Sequence, residues 1–219
     1  MDPKVLTDGL IQFVIFLFST TCHEAAHALA GKLGGDLTAF KTGQVSLSPL
    51  PHIRREPVGM ILMPLLCFAI GGPMIGWASA PYDPVWARRY PRRAALMSLA
   101  GPVANFALVL VAALLLNLGA YTGMFGNEEK SGGVVVFLAT LFSLNILLGV
   151  FNLVPIPPLD GFTVLALFLP ENAALRLFDV GLQVRRFSFL FLLLGWQYFG
   201  VVLNPIKMTA VHYLLPLFR

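Results

Sequence analysis

From Gly9 to Cys22 the chain carries no charged side chain, and the next five residues read His23-Glu24-Ala25-Ala26-His27. An apolar run of this kind belongs in a bilayer, where every backbone N–H and C=O must be paired internally. That restricts the segment to a helix or a closed barrel. Ionisable groups in such a place are costly and by default mark function. On a helix, residues four apart share a face, so both imidazoles can grip one metal ion. Glu24 comes close enough to reach a water on that ion. Two imidazole ligands, an open coordination position and a carboxylate base make up the arrangement of zinc hydrolases. With four His and five Glu in the chain, chance supplies roughly 0.002 copies of the pattern. The bland alternative is a polar helix end whose histidines only satisfy backbone groups.

Composition sets the class. Of the 219 residues, 57% are hydrophobic and 12% charged, where a soluble domain would carry about a quarter charged. Several windows approach the roughly 20 apolar residues that span a bilayer. The expectation is an all-α polytopic membrane protein with about four to six transmembrane segments, forming a single domain over 1–219. No cleavable leader is expected, because the first apolar segment holds the candidate metal site. Cys22 and Cys67 make no disulfide framework and read as small buried hydrophobes. The net charge of +4 requires no nucleic-acid partner, since basic residues in a membrane protein mostly set orientation.

Along the chain, a first helix is expected over about Val5 to Gly31, then a loop over 36–57 in which 38–48 alternates loosely and suggests short strands. Residues 58–76 are apolar but broken by Pro64, Gly71, Gly72 and Pro73. Clean spans follow over about 94–119 and 134–154. Beyond lie a short apolar piece (162–169), an amphipathic stretch (172–186), a final apolar segment (187–203) and an interfacial tail from Pro205. Loop 31–57 sets Lys32, Lys41, Arg54 and Arg55 against Asp36 and Glu56; loop 77–93 sets Arg88, Arg89, Arg92 and Arg93 against Asp83. Both basic loops call for the cytoplasmic side. They can share it only if 58–76 is re-entrant, which its Gly/Pro breaks permit.

A catalytic zinc normally takes three protein ligands. The third candidate is Asp160, in Asn152-Leu-Val-Pro-Ile-Pro-Pro-Leu-Asp160-Gly161. Its competing role is a helix N-cap. His23 and His27 close the first span, and Asp160 follows the 134–154 span. The three share a membrane face only if an even number of crossings separates them, which a non-crossing 58–76 provides.

The H-E-x-x-H motif, the Asn152-x-x-Pro155-x-Pro157-x-x-Asp160-Gly161 motif and Gly101-Pro102-Val103-Ala104-Asn105 together resemble the site-2 protease family of intramembrane zinc metalloproteases. The resemblance covers about residues 10–165, leaving 166–219 as accessory helices. It implies one zinc ion per chain held by His23, His27 and Asp160, with Glu24 activating water. It also implies an active site set into the membrane, near the cytoplasmic side in bacterial members. Asn105 and Asn152 are candidates to hold the substrate backbone or an oxyanion; the alternative for both is interhelical hydrogen bonding. The implied partners are transmembrane protein substrates, with residues 38–48 as a possible sheet edge to receive them. Residues 47–59 resemble a His-Ile-Asp-Pro-x-Gly segment of compact members, but Arg54-Arg55-Glu56 replaces its acidic position, so His52 reads as a loop histidine. No PDZ or CBS domain is expected. A catalytically silent binding protein would be free to lose Glu24. A metal carrier would line a path with more His and acidic residues than this chain holds.

Overall fold

The computed structural model describes residues 3–71, 74–125 and 128–218. Helix α1 (Pro3–Gly34), α2 (Thr38–Lys41) and α3 (Pro49–Arg55) come first, then a π-helical turn (Val58–Leu62) leading into α4 (Met63–Ala69). After an irregular stretch come α5 (Pro84–Arg89), α6 (Pro91–Tyr121), α7 (Glu128–Asn152), α8 (Asp160–Val164), α9 (Glu171–Val184) and α10 (Ser188–Leu214). This is an all-α membrane protein. Among the described residues, α1, α6 and the 132–152 part of α7 are long and apolar enough to cross a bilayer.

These three helices are the frame of the molecule. The register is set by small residues that let backbones approach. Met97 of α6 lies against Gly31 of α1, and Phe106 of α6 lies against Gly149 of α7. Thus α6 runs antiparallel to both, and α1 and α7 run side by side. Their apolar interior holds Ile15, Val109, Ala112, Leu116, Phe142 and Ile146. Asn117 of α6 donates to the Leu214 carbonyl at the end of α10, at 2.7 Å.

The described residues 58–71 and 74–77 form two limbs that lie against α1. The descending limb carries Phe68 down to Gly9, where a Cβ would overlap the ring. The chain then returns, and the Trp77 N–H donates to the Gly59 carbonyl at 3.1 Å. A Cβ at Gly59 or at Gly76 would overlap the opposite limb's backbone, so the two limbs touch there, beside Phe16 of α1. The two ends of the segment therefore sit together. The flanking loops meet as well: the Asp83 N–H donates to Asp36 Oδ2 at 2.9 Å.

Two expectations are corrected. Residues 38–48 make no strand: Thr38–Lys41 is one helical turn, Gly43 takes a positive φ of 74°, and the rest bends. Alternation alone cannot make a strand without a neighbour to pair with, and among the described residues no strand exists. Nor does the final helix stop before Pro205, since α10 runs through it to Leu214. A lost backbone bond at an internal proline is tolerated where neighbouring groups take up the freed carbonyl.

Candidate metal centre

Four pieces of chain build the site. The middle of α1 supplies His23, Glu24 and His27 on one face, all buried. The first third of α6 lies against that face at Gly101, where any Cβ would overlap both imidazole Nε2 atoms. The loop after α7 brings Asp160 back. Its prolines stop α7, and tight turns follow, with Ile156 N–H donating to Val154 O at 2.8 Å and Leu159 N–H to Ile156 O at 2.9 Å. Gly161 then passes so close to the Leu153 and Val154 backbone that no side chain fits. Finally, the irregular chain after the second limb lays Ala78, Ser79 and Ala80 across the opening.

Three ligand atoms converge. His23 Nε2 and His27 Nε2 are 2.9 Å apart, and Asp160 Oδ2 lies 3.1 Å and 3.2 Å from them. Tetrahedral zinc with N and O ligands at about 2.0–2.1 Å would space them about 3.3 Å apart. Each ring's other nitrogen is already engaged: His23 Nδ1 bonds Asn105 Oδ1 at 2.6 Å, and His27 Nδ1 donates to the Met97 carbonyl at 2.7 Å. In the neutral rings this leaves both Nε2 lone pairs facing each other and a carboxylate, which is repulsive without a cation among them. Glu24 Oε2 is buried with no hydrogen-bond partner, an expensive state that a neighbouring cation or water would relieve. The residues fit a zinc ion.

The cavity over this cluster is about 210 Å³. Glu24, Ser98, Asn152, Pro158 and Thr163 line it, and so does Phe178 of α9, from the part of the chain expected to be accessory. Pro102 has no N–H, so the Ser98 carbonyl is released from the α6 ladder beside the cavity. Ser79 is clamped: its hydroxyl donates to Glu56 Oε1 at 2.6 Å, and its carbonyl accepts from Arg55 Nε at 2.9 Å.

The two asparagines part ways. Asn152 lines the cavity, with Nδ2 donating to Leu148 O in its own helix at 3.0 Å. Asn105 is fully buried behind His23, away from the cavity lining, and bonds Asn145 of α7 at 2.8 Å. Its place is thus between helices. His52 is buried in α3, its Nε2 bonded to Ser46 O at 3.0 Å, outside the metal cluster. The sequence reading missed the Met97 carbonyl, which no side-chain pattern could reveal. It also missed Asn145, whose signal was a lone amide in an apolar span.

A His-His-Asp cluster joining a helix of membrane-spanning length to the turn after another defines the class: a zinc metalloprotease built into a membrane. The chain belongs to Peptidase family M50, whose model matches residues 11–195, and this is the site-2 protease family. It is 33% identical over 165 residues to "Putative zinc metalloprotease YwhC" of Bacillus subtilis, covering 75% of this chain and 71% of that protein. It is 32% identical over 219 aligned residues to "Putative zinc metalloprotease Rip2" of Mycobacterium tuberculosis (strain ATCC 25618 / H37Rv), covering 94% and 78%. No solved structure matches.

Proposed function

We propose that this metalloprotease is an intramembrane endopeptidase that hydrolyses peptide bonds within or beside transmembrane segments of membrane-protein substrates. The carrying observation is the placement of His23, Glu24 and His27 on α1, a helix of membrane-spanning length, with Asp160 at the start of α8 completing the cluster under a cavity of about 210 Å³. His23, His27 and Asp160 hold the zinc. When bound, zinc supplies a Lewis acid that polarises a carbonyl and lowers the pKa of water. Glu24 takes the proton from the attacking water and delivers it to the leaving amine. Its unpartnered Oε2 is free for that task. Asn152, on the cavity wall, is the amide available to the substrate backbone or an oxyanion. Asn105 serves instead to hold His23. The charge of the two joined basic loops supports an active site nearer the cytoplasmic side, and the bacterial relatives support a bacterial cytoplasmic membrane. The substrates are helical membrane proteins that clear as signal-peptide remnants or release anchored regulators.

The test is cleavage of a panel of model transmembrane substrates by the purified protein, with products mapped by mass spectrometry. Scissile bonds inside or next to the apolar segments are expected. Cleavage confined to soluble peptides would overturn the proposal.

A further inference from the structure

We infer that Asn145 of α7 is a positioning residue that fixes which ring nitrogen of His23 faces the metal. The inference rests on the zinc reading of the cluster. Asn145 and Asn105 are both fully buried and form one chain of hydrogen bonds from α7 through α6 to α1. An amide can normally be turned over, exchanging its donor and acceptor ends. Here a backbone group removes that freedom. The Leu141 carbonyl can only accept, and the Asn145 amide lies 2.8 Å from it, so the Nδ2 end must face it. The same Nδ2 donates its second proton to Ser19 Oγ at 2.9 Å. Asn145 Oδ1 therefore points at Asn105, which must answer with its own Nδ2, at 2.8 Å.

Asn105 is then left presenting Oδ1 to His23 Nδ1, at 2.6 Å. That nitrogen must carry the ring proton, and Nε2 keeps its lone pair for the ion. His27 gets the same instruction directly from the Met97 carbonyl, 2.7 Å from Nδ1. So the two metal-facing rings are oriented by two backbone carbonyls, one adjacent and one relayed through two amides. Without Asn145, Asn105 could turn over and donate to Nδ1, placing the ring proton on Nε2 and spoiling the ligand. Outer partners of metal-bound histidines are worth about 10–100-fold in metal affinity. A relay one step further out belongs at the low end.

The experiment measures zinc affinity of the purified full chain by chelator competition. Asn145→Leu, which removes both ends of the relay, should bind zinc roughly tenfold more weakly. Asn145→Asp, neutral when buried, keeps an acceptor toward Asn105 and a donor toward Leu141, and should stay within about threefold of wild type. In an Asn105→Ala background the relay to His23 is already cut, so Asn145→Leu should there cost little further. That non-additivity separates a relay from packing. An equal loss for Leu and Asp, a full tenfold loss in the Asn105→Ala background, or no loss for Leu would each overturn the inference. If Asn145→Leu does not fold, Asn145→Asp decides alone, and a tenfold loss there refutes the relay. Wild type that fails to take up zinc would instead refute the reading of the cluster itself.

Discussion

Gly101→Ala replaces a hydrogen with a methyl group where α6 packs against both candidate ligand nitrogens. The new Cβ would stand 2.5 Å from His23 Nε2 and from His27 Cε1, and closer still to His27 Nε2. Non-bonded carbon contacts sit near 3.5–4.0 Å, so the rings or the helix must give by about 1 Å. The rings have little slack, because Asn105 holds one and the Met97 carbonyl the other. In a helix interior Ala is favoured over Gly by about 1 kcal/mol, so loss of the helix cannot explain a defect. A misplacement of about 1 Å at a catalytic group costs about 100-fold in rate, near 2.7 kcal/mol. Zinc affinity should fall by at least as much, because the displaced atoms are themselves candidate ligands. The assay is chelator-competition zinc affinity beside substrate cleavage. Gly200→Ala is the control, since its Cβ would meet nothing nearer than Asn204 at 4.0 Å. A Gly101→Ala protein that binds zinc as tightly as wild type would refute the geometry described for the site.

Other outcomes follow from single contacts. Asn152→Ala should leave zinc content intact and lower kcat by about 100-fold, as loss of one oxyanion donor does; unchanged cleavage would remove Asn152 from the substrate side. Asp36 is buried, which would raise its pKa, but bonds from the Thr38 hydroxyl, the Asp83 N–H and the Thr38 N–H hold its carboxyl below the usual value. Its stabilisation is therefore present above the unfolded pKa of about 3.9 and lost as pH falls through the lower folded value. Asp36→Ala should cost about 2 kcal/mol at neutral pH, with the gap to wild type in thermal melts closing below about pH 4; a gap that persists in acid would contradict the carboxylate's role. Single cysteines replacing Lys41 and Val85, in a chain without Cys22 and Cys67, should both label from one side of the membrane, since opposite-side labelling contradicts a re-entrant 58–76.

What could be read from the sequence depended on whether a role demands a residue type at a fixed spacing. His23 and His27 had to lie four apart to share a helix face, and Asp160 had to follow a helix-stopping run of prolines. The structure brings all three within 3.2 Å. The break in the 58–76 segment was legible for a similar reason, since its glycines and prolines argue against an unbroken span, and Gly71 takes a positive φ of 79°. Roles carried by backbone left no such mark. The Met97 and Leu141 carbonyls would be present under any side chain, and only the fold aims them. Alternation over 38–48 suggested a strand because the pattern is local, whereas a strand needs a partner the fold does not supply. For Asn105 the sequence left substrate contact and interhelical hydrogen bonding both open, because its spacing from Gly101 says nothing about which way the amide faces; in the structure it bonds Asn145 and His23.

The central claim is that one buried cluster both holds zinc and sets Glu24 to move the proton in peptide-bond hydrolysis. Zinc stoichiometry and substrate cleavage, measured together on purified wild type and Glu24→Gln, test it most directly. One zinc per chain in both proteins, with cleavage in wild type alone, is the predicted result. Cleavage by Glu24→Gln at the wild-type rate, or wild type that holds no zinc, would contradict it.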